Sequence, residues 1–307
     1  MSSLLPDNKV ARLIVKGFLI LMFIIAADRL TGMTLRHFFF SQNEGEQSHF
    51  TSVIDSTNSE ILIFGSSRAC HSYIPEIIEN RLHYTCYNAG RDGNFVLYNY
   101  ALFKSITKRY SPRIIFFDIR PYDIEYMPYE YDRLSVLLPY YDSHPEIRDI
   151  INLRGPFEKL KHVSSVYPYN SLALQILRGN LSVSKSGEPD YKGYIPLHKV
   201  LDNQELKSWN IIDCNADPNK LSALKDMISL CREKNIRLIF VYSPIWVRME
   251  DSKCNNIIPS LCAAEGIEYI DISNDPAFMK NPQYFEDLTH VNDEGAKIFT
   301  NMLINRL

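Results

Sequence analysis

Residues 61–64, Ile-Leu-Ile-Phe, are apolar at every position, and residues 113–119 and 237–242 are apolar over most of their length. A strand with one wet face alternates apolar and polar side chains, so an unbroken apolar run belongs to a strand covered on both faces. Between these runs the apolar spacing becomes helical, over 74–82, 94–110, 217–235, 251–265 and 292–307. Two shorter strands, 84–87 and 269–272, continue the alternation. Pro75 suits a first helical turn, Gly266 a helix stop, and Asn292 or Asp293 an N-cap. Strands alternating with helices form a parallel sheet with helices on both faces, so the chain is predicted to be α/β. Ligands of such sheets bind beyond the carboxyl ends of the strands. Ser66 and Ser67 and the loops 88–94, 120–123 and 243–246 are therefore expected to meet at one edge.

The alternation stops between 120 and 215, a stretch too long for a plain loop. It carries tyrosine, proline and mixed charge, with helical spacing such as 172–177. We read it as an insertion that caps the active-site edge and sets specificity. Tyrosines cluster between Tyr122 and Tyr141, a pattern that suits either a sugar-binding cleft or a packed insertion. The 307 residues allow one large domain or two small ones. A net charge of −3 gives no electrostatic case for nucleic acid as a partner.

Residues 17–27 are uncharged and apolar, and Leu13, Ile14 and Val15 extend the run past Lys16. Lys9, Arg12 and Lys16 lie on its N-terminal side, which predicts a cytoplasmic N-terminus and a body outside the cytoplasm, periplasmic or at the cell surface. The uncharged stretch is short for a full span, although Lys16 can snorkel toward the headgroups. Residues 1–30 read as an uncleaved signal-anchor, one transmembrane helix, with a cleaved signal peptide as the rival and a buried soluble helix as the third reading. Residues 31–58 are polar, without a sustained period, and read as a stem with a loop at 41–48. The body then spans 59–307. Cys70 and Cys231 fall in predicted helices and Cys86 in a predicted strand, so they read as buried thiols. An exported body leaves room for one or two disulfides among the six cysteines, whose pairing stays open. No spacing suits zinc, so neither a metal nor a cofactor is expected.

Gly65-Ser66-Ser67 follows the first strand, and Asp287-Leu288-Thr289-His290 precedes the last helix. A hydroxyl is a poor nucleophile at neutral pH; it needs a base to take its proton and an acid to hold that base. Asp287 lies three residues before His290, close enough for one turn to bring carboxylate and imidazole together. Alone, the first segment is equally an N-cap and the second a plain helix start. In this order on an α/β frame they suggest a catalytic Ser67, His290 and Asp287. Arg68 suits an anionic substrate group or a structural ion pair. Tyr122, Tyr242 and Trp246 sit on edge loops, for stacking on sugar rings or for packing. His71, His83, His144, His162 and His198 lack a partner at useful spacing and read as structural or surface residues.

With these blocks, the body resembles the SGNH/GDSL hydrolase superfamily. Gly65-Ser66-Ser67 matches its first block, with Ser66 in place of the usual aspartate and Ser67 as nucleophile. Residues 88–93, Asn-Ala-Gly-Arg-Asp-Gly, look like the second block, with Gly93 at the oxyanion-hole position. Asp287 to His290 look like the fifth. The third block, Gly-x-Asn-Asp, has no counterpart in Asp118-Ile119-Arg120-Pro121-Tyr122-Asp123. The resemblance thus implies an oxyanion hole resting on the backbone N–H groups of Ser67 and Gly93. A lost side-chain donor there costs about 3 kcal/mol of transition-state stabilisation. The Gly-Ser-Ser variant looks similar to membrane-anchored acyl-transfer relatives, such as D-alanyl-lipoteichoic acid transfer and alginate O-acetylation proteins. That likeness implies a serine esterase or O-acyltransferase acting on acyl esters of a cell-surface polysaccharide, with a membrane acyl-transfer protein as a partner. The other readings are a non-catalytic glycan-binding or assembly protein and, last, a phosphate or nucleotide binder, for which neither GxGxxG nor Walker A is present.

Overall fold

The computed structural model describes residues 8–42, 45–181, 191–201, 205–209, 214–249 and 253–307. Helix α1, Lys9–Phe40, opens with the Asn8 side chain accepting the Val10 N–H. It is followed by α2 (Gly45–Asp55), β1 (Ile61–Phe64), α3 (Ser67–Ser72), α4 (Pro75–Leu82), β2 (Cys86–Asn88), α5 (Val96–Arg109) and β3 (Ile114–Asp118). Short helices α6 (Pro128–Arg133), α7 (Arg148–Asn152), α8 (Glu158–Lys161) and α9 (Ala173–Leu181) come next, interspersed with 3-10 turns. Strand β4 (Lys207–Trp209), α10 (Pro218–Glu233), β5 (Arg237–Tyr242), β6 (Val247–Met249), α11 (Ile257–Glu265), β7 (Glu268–Asp271), α12 (Pro276–Met279) and α13 (Asp293–Ile304) complete the chain. The helix expected over 251–265 begins at Ile257 after a 3-10 turn; residues 251 and 252 lie outside the described set.

Five strands form one all-parallel sheet in the order β2-β1-β3-β5-β7. Successive residues of a strand point to opposite faces, and in β1 and β3 every residue is buried. Leu62, Phe64, Ile115, Phe117, Leu238 and Phe240 join one core with residues of α5 and α10. Ile61, Ile63, Ile114, Phe116, Ile239 and Val241 join another with residues of α4 and α13. The unbroken apolar runs therefore have a packing cause. A second, two-stranded parallel sheet pairs β4 with β6, and Cys214 is bonded to Cys254. Cys70, Cys86, Cys231 and Cys262 are buried thiols.

The N-terminal region differs from the expected anchor and stem. The apolar helix is long enough to cross a membrane, and its most apolar window is wholly unburied. It does not stop near residue 30. Its 32 residues run to Phe40, about 48 Å at about 1.5 Å per residue. Phe39 enters the main core, as do Phe50, Val53 and Ile54 of α2. Residues 31–58 are thus mostly helical and joined to the body. Of the polar residues that suggested a stem, Thr34, Arg36, His37, His49, Ser52 and Asp55 are exposed and Gln47 is buried, while residues 43 and 44 of the expected 41–48 loop lie outside the described set.

The insertion also departs from a simple cap. Its two ends are tied together, with the Tyr126 N–H donating to the Asn215 carbonyl and the Asp217 N–H to that of Ile124. Its middle, including Leu134, Leu137, Tyr140, Ile151, Tyr169 and Ile176, fills the core beside α1, α2 and α5. Among its described residues, the 120–124 start, α6 and residues 191–201 approach the edge where Ser67 lies.

Candidate active site

Gly65 ends β1 at φ +148°, and a Cβ there would fall 2.7 Å from the Ala69 Cβ. Only glycine lets the chain turn this tightly into α3. Asn99 of α5, fully buried, accepts the Gly65 N–H at 3.0 Å and fixes the turn from below. Ser66 occupies the N-cap without a side-chain capping bond, and Ser67 is the first helical residue. The Ser67 hydroxyl is therefore not spent on capping. It lies 2.7 Å from His290 Nε2.

His290 is presented by a turn closed by the Glu286 N–H donating to the His290 carbonyl and by the Phe285–Val291 bridge. Its Nδ1 lies 2.9 and 3.0 Å from the two Asp287 oxygens. Asp287 Oδ1 also accepts the Thr289 and His290 N–H groups at 2.7 and 2.9 Å. Burial works to raise the Asp287 carboxyl, but these hydrogen bonds outweigh it and hold it well below the usual carboxylate range. Ser67, His290 and Asp287, expected to act together, stand in one hydrogen-bonded chain.

The 88–94 loop lies against α3. The Arg91 N–H donates to the Gly65 carbonyl at 3.2 Å, and a Cβ on Gly90 would fall 2.7 Å from the Cys70 N. Asn88 donates to the Ala69 and Tyr73 carbonyls and accepts the Gly90 N–H. Gly93 is left-handed, φ +65°, and the Arg133 guanidinium of α6 occupies the space a Cβ would need. Among the described residues, neither the Ser67 nor the Gly93 N–H donates to an acceptor.

Two residues escaped the sequence reading. His71 is not a spectator: it lies one turn after Ser67 on the same face of α3. Its ring stands edge-on to His290 with centroids 5.6 Å apart. Its Nδ1 donates to the Ile195 carbonyl at 2.7 Å, and its Nε2 lies 3.3 Å from Asp92 Oδ1. Burial works against charge on His71, but the Asp92 and Ile195 bonds outweigh it and raise its pKa. The His71 bond chiefly draws the Asp92 carboxyl down to about 2. The i, i+4 spacing from Ser67 was the available signal; Asp92 carried none. The Cys70 thiol also donates to Asp92 Oδ1, at 3.0 Å. Cys70, His71 and Asp92 offer donor atoms within 4.8 Å of one another, a set that a transition metal accepts.

The residues expected at the substrate are largely elsewhere. Arg68 is 1% exposed, paired with Asp118 and lying over the Tyr242 ring at 5.4 Å. Tyr242 is buried, and Trp246 is buried against Phe285. Tyr122 is half-buried under the Arg120 guanidinium. Arg68, Tyr242 and Trp246 therefore support the site from beneath rather than meeting a substrate. Asp123 binds the Arg120 side chain and N–H, so the 118–123 loop is engaged in this ion-pair layer. The sequence matches no protein-family model and no curated protein.

Proposed function

We propose that the chain is a membrane-anchored serine esterase or O-acyltransferase of SGNH/GDSL-like, three-layer fold, acting outside the cytoplasm on acyl esters of a cell-surface glycan. The observation that carries this reading is the chain from Ser67 Oγ through His290 to Asp287, bonded at 2.7 Å and at 2.9–3.0 Å. In the mechanism it implies, Ser67 Oγ attacks the ester carbonyl carbon as His290 Nε2 takes its proton. The N–H groups of Ser67 and Gly93, which among the described residues donate to no acceptor, receive the developing oxyanion. Collapse breaks the bond to the leaving oxygen, to which His290 returns the proton, leaving the acyl group on Ser67. Water or a sugar hydroxyl then attacks the acyl carbon and gives its proton to His290; the bond from that carbon to Ser67 Oγ breaks, the acyl group leaves on the acceptor oxygen, and His290 returns the proton to Ser67 Oγ. Asp287, kept ionised by its donors, favours the imidazolium that forms in both halves.

A non-catalytic glycan-binding role is favoured by one feature, the absence of an asparagine donor in the 118–123 loop, whose carboxylates are committed to Arg68 and Arg120. A fluorophosphonate probe on the full-length chain in detergent decides between them. Labelling of the wild type, lost in both Ser67→Ala and His290→Ala, supports the enzyme. A folded wild type that does not label, and that releases no acetate from acetylated glycans, refutes it.

A further inference from the structure

The anchor helix leaves its apolar run at Ala27 and meets the insertion at once. Asp28 accepts the Ser164 hydroxyl and the Ser165 N–H, and Arg29 donates to the Val163 carbonyl at 2.9 Å. Gly32 lets the two segments touch, since a Cβ there would overlap the Ser165 backbone. Residues 163–165 are thereby held at the level where α1 passes from hydrocarbon to water. Immediately before them, Phe157, Leu160 and Val163 recur at three-residue spacing and are 65%, 67% and 64% exposed. Three large apolar side chains this exposed, in line on one short segment, mark a surface with something to cover it. Lys159 and Lys161 flank them. The acidic residue among them, Glu158, is buried and neutralised by Arg154 and Lys161. Apolar residues edged by lysine, beside the point where a spanning helix emerges, have the composition of an interfacial segment.

We propose that residues 157–163 rest in the interface of the bilayer that α1 spans, giving the body a second point of contact beside its anchor. The occupant is lipid, the acyl–headgroup boundary of that same leaflet. This inference rests on reading α1 as membrane-spanning and does not depend on the chemistry at Ser67. With the helix as one support and this wedge as a second, the body cannot swivel freely about α1.

The test places an environment-sensitive fluorophore at Leu160→Cys, and separately at Val163→Cys, in the full-length chain in vesicles of phosphatidylethanolamine and phosphatidylglycerol. Leu21→Cys on α1 reports the span. Glu294→Cys, on α13 at the other face of the sheet, reports water. Quenching by lipids spin-labelled high on the acyl chain is expected at positions 160 and 163, at least threefold above that at 294. Position 21 is expected to respond instead to lipids labelled deep on the chain. Quenching at 21 with positions 160 and 163 no better than 294 overturns the proposal and leaves the anchor standing. No quenching at 21 overturns the anchor and the proposal together. Shielding of position 160 from aqueous quenchers that persists in detergent and grows with protein concentration assigns the surface to a second copy and also overturns it.

Discussion

Replacing His71 by glutamine removes one charge from beside the serine while keeping a polar side chain of similar reach. His71 bonds through both ring nitrogens, and its bond to Asp92 is the leading cause of the fall of that carboxyl from 3.8 to about 2. A fall of that size is worth at most about 2.4 kcal/mol, at about 1.36 kcal/mol per pKa unit. The Asp92 side chain is 62% exposed, so solvent screens most of this and about 1 kcal/mol remains. For a chain of this size that is about 2 °C in thermal unfolding. The sign of the pH dependence follows from both partners. The depressed Asp92 stabilises the fold above 3.8, and its contribution is lost as pH falls through about 2. The raised His71 stabilises it below 6.5, and its contribution is lost as pH rises through the higher folded value. The gap between wild type and His71→Gln is therefore widest from about pH 4 to 6.5 and closes on either side. Thermal unfolding of both full-length chains in one detergent at low salt, over roughly pH 3 to 9, reads it. A gap as large at the alkaline end as near pH 5 refutes the reasoning, since the pair would then be uncharged and the loss one of packing alone.

Three further outcomes are expected. Asp287→Asn keeps the shape of the turn but removes the charge facing His290, and probe labelling at Ser67 should slow by about a hundredfold or more; a rate within threefold of wild type contradicts the role given to Asp287. Gly90→Ala forces a Cβ to within 2.7 Å of the Cys70 N and the Ala69 Cβ, pushing the 88–94 loop off α3; labelling should fall about tenfold, and an unchanged rate would show that Gly93 takes no part. Lys220 is fully buried, donating to the Asp123 and Glu125 carbonyls and pairing with Glu130. Lys220→Met strands that carboxylate and should cost about 3–5 kcal/mol, against which a Tm drop of under 2 °C would count.

The sheet was readable because its strands are apolar on both sides, a property written in consecutive residues. Ser67, His290 and Asp287 could be picked out together because an activated serine would demand those residue types at strand and helix ends, and the fold joins them in one hydrogen-bonded chain. What escaped was set by partners distant in sequence. Nothing at position 68 announces that an arginine will be sealed in, because Asp118 and Asp123 reach it from another strand end. Asn99 looks like any helical asparagine until β1 places the Gly65 N–H against it. Phe50, Val53 and Ile54 do carry helical spacing, but over so short a stretch that the surrounding polar residues masked it. The end of α1 was misplaced for a related reason. Hydropathy marks where a helix leaves lipid, not where its hydrogen bonding stops.

Ser67 and His290 are 223 residues apart, and that separation bears on when the hydrogen bond between them can form. A chain made from its N-terminus has β1 and the Gly65 turn early, with a serine no more reactive than any other. Asp287 and His290 emerge only after β5 and β7 have been made, and the residues on either side of their turn, Phe285 and Val291, are buried in the core that Ile61, Ile63 and Ile239 help to form. Until then the Ser67 hydroxyl lacks its imidazole partner. On the function proposed above, a partly made product would keep the serine without its base, so that completion of the fold would be the activating step.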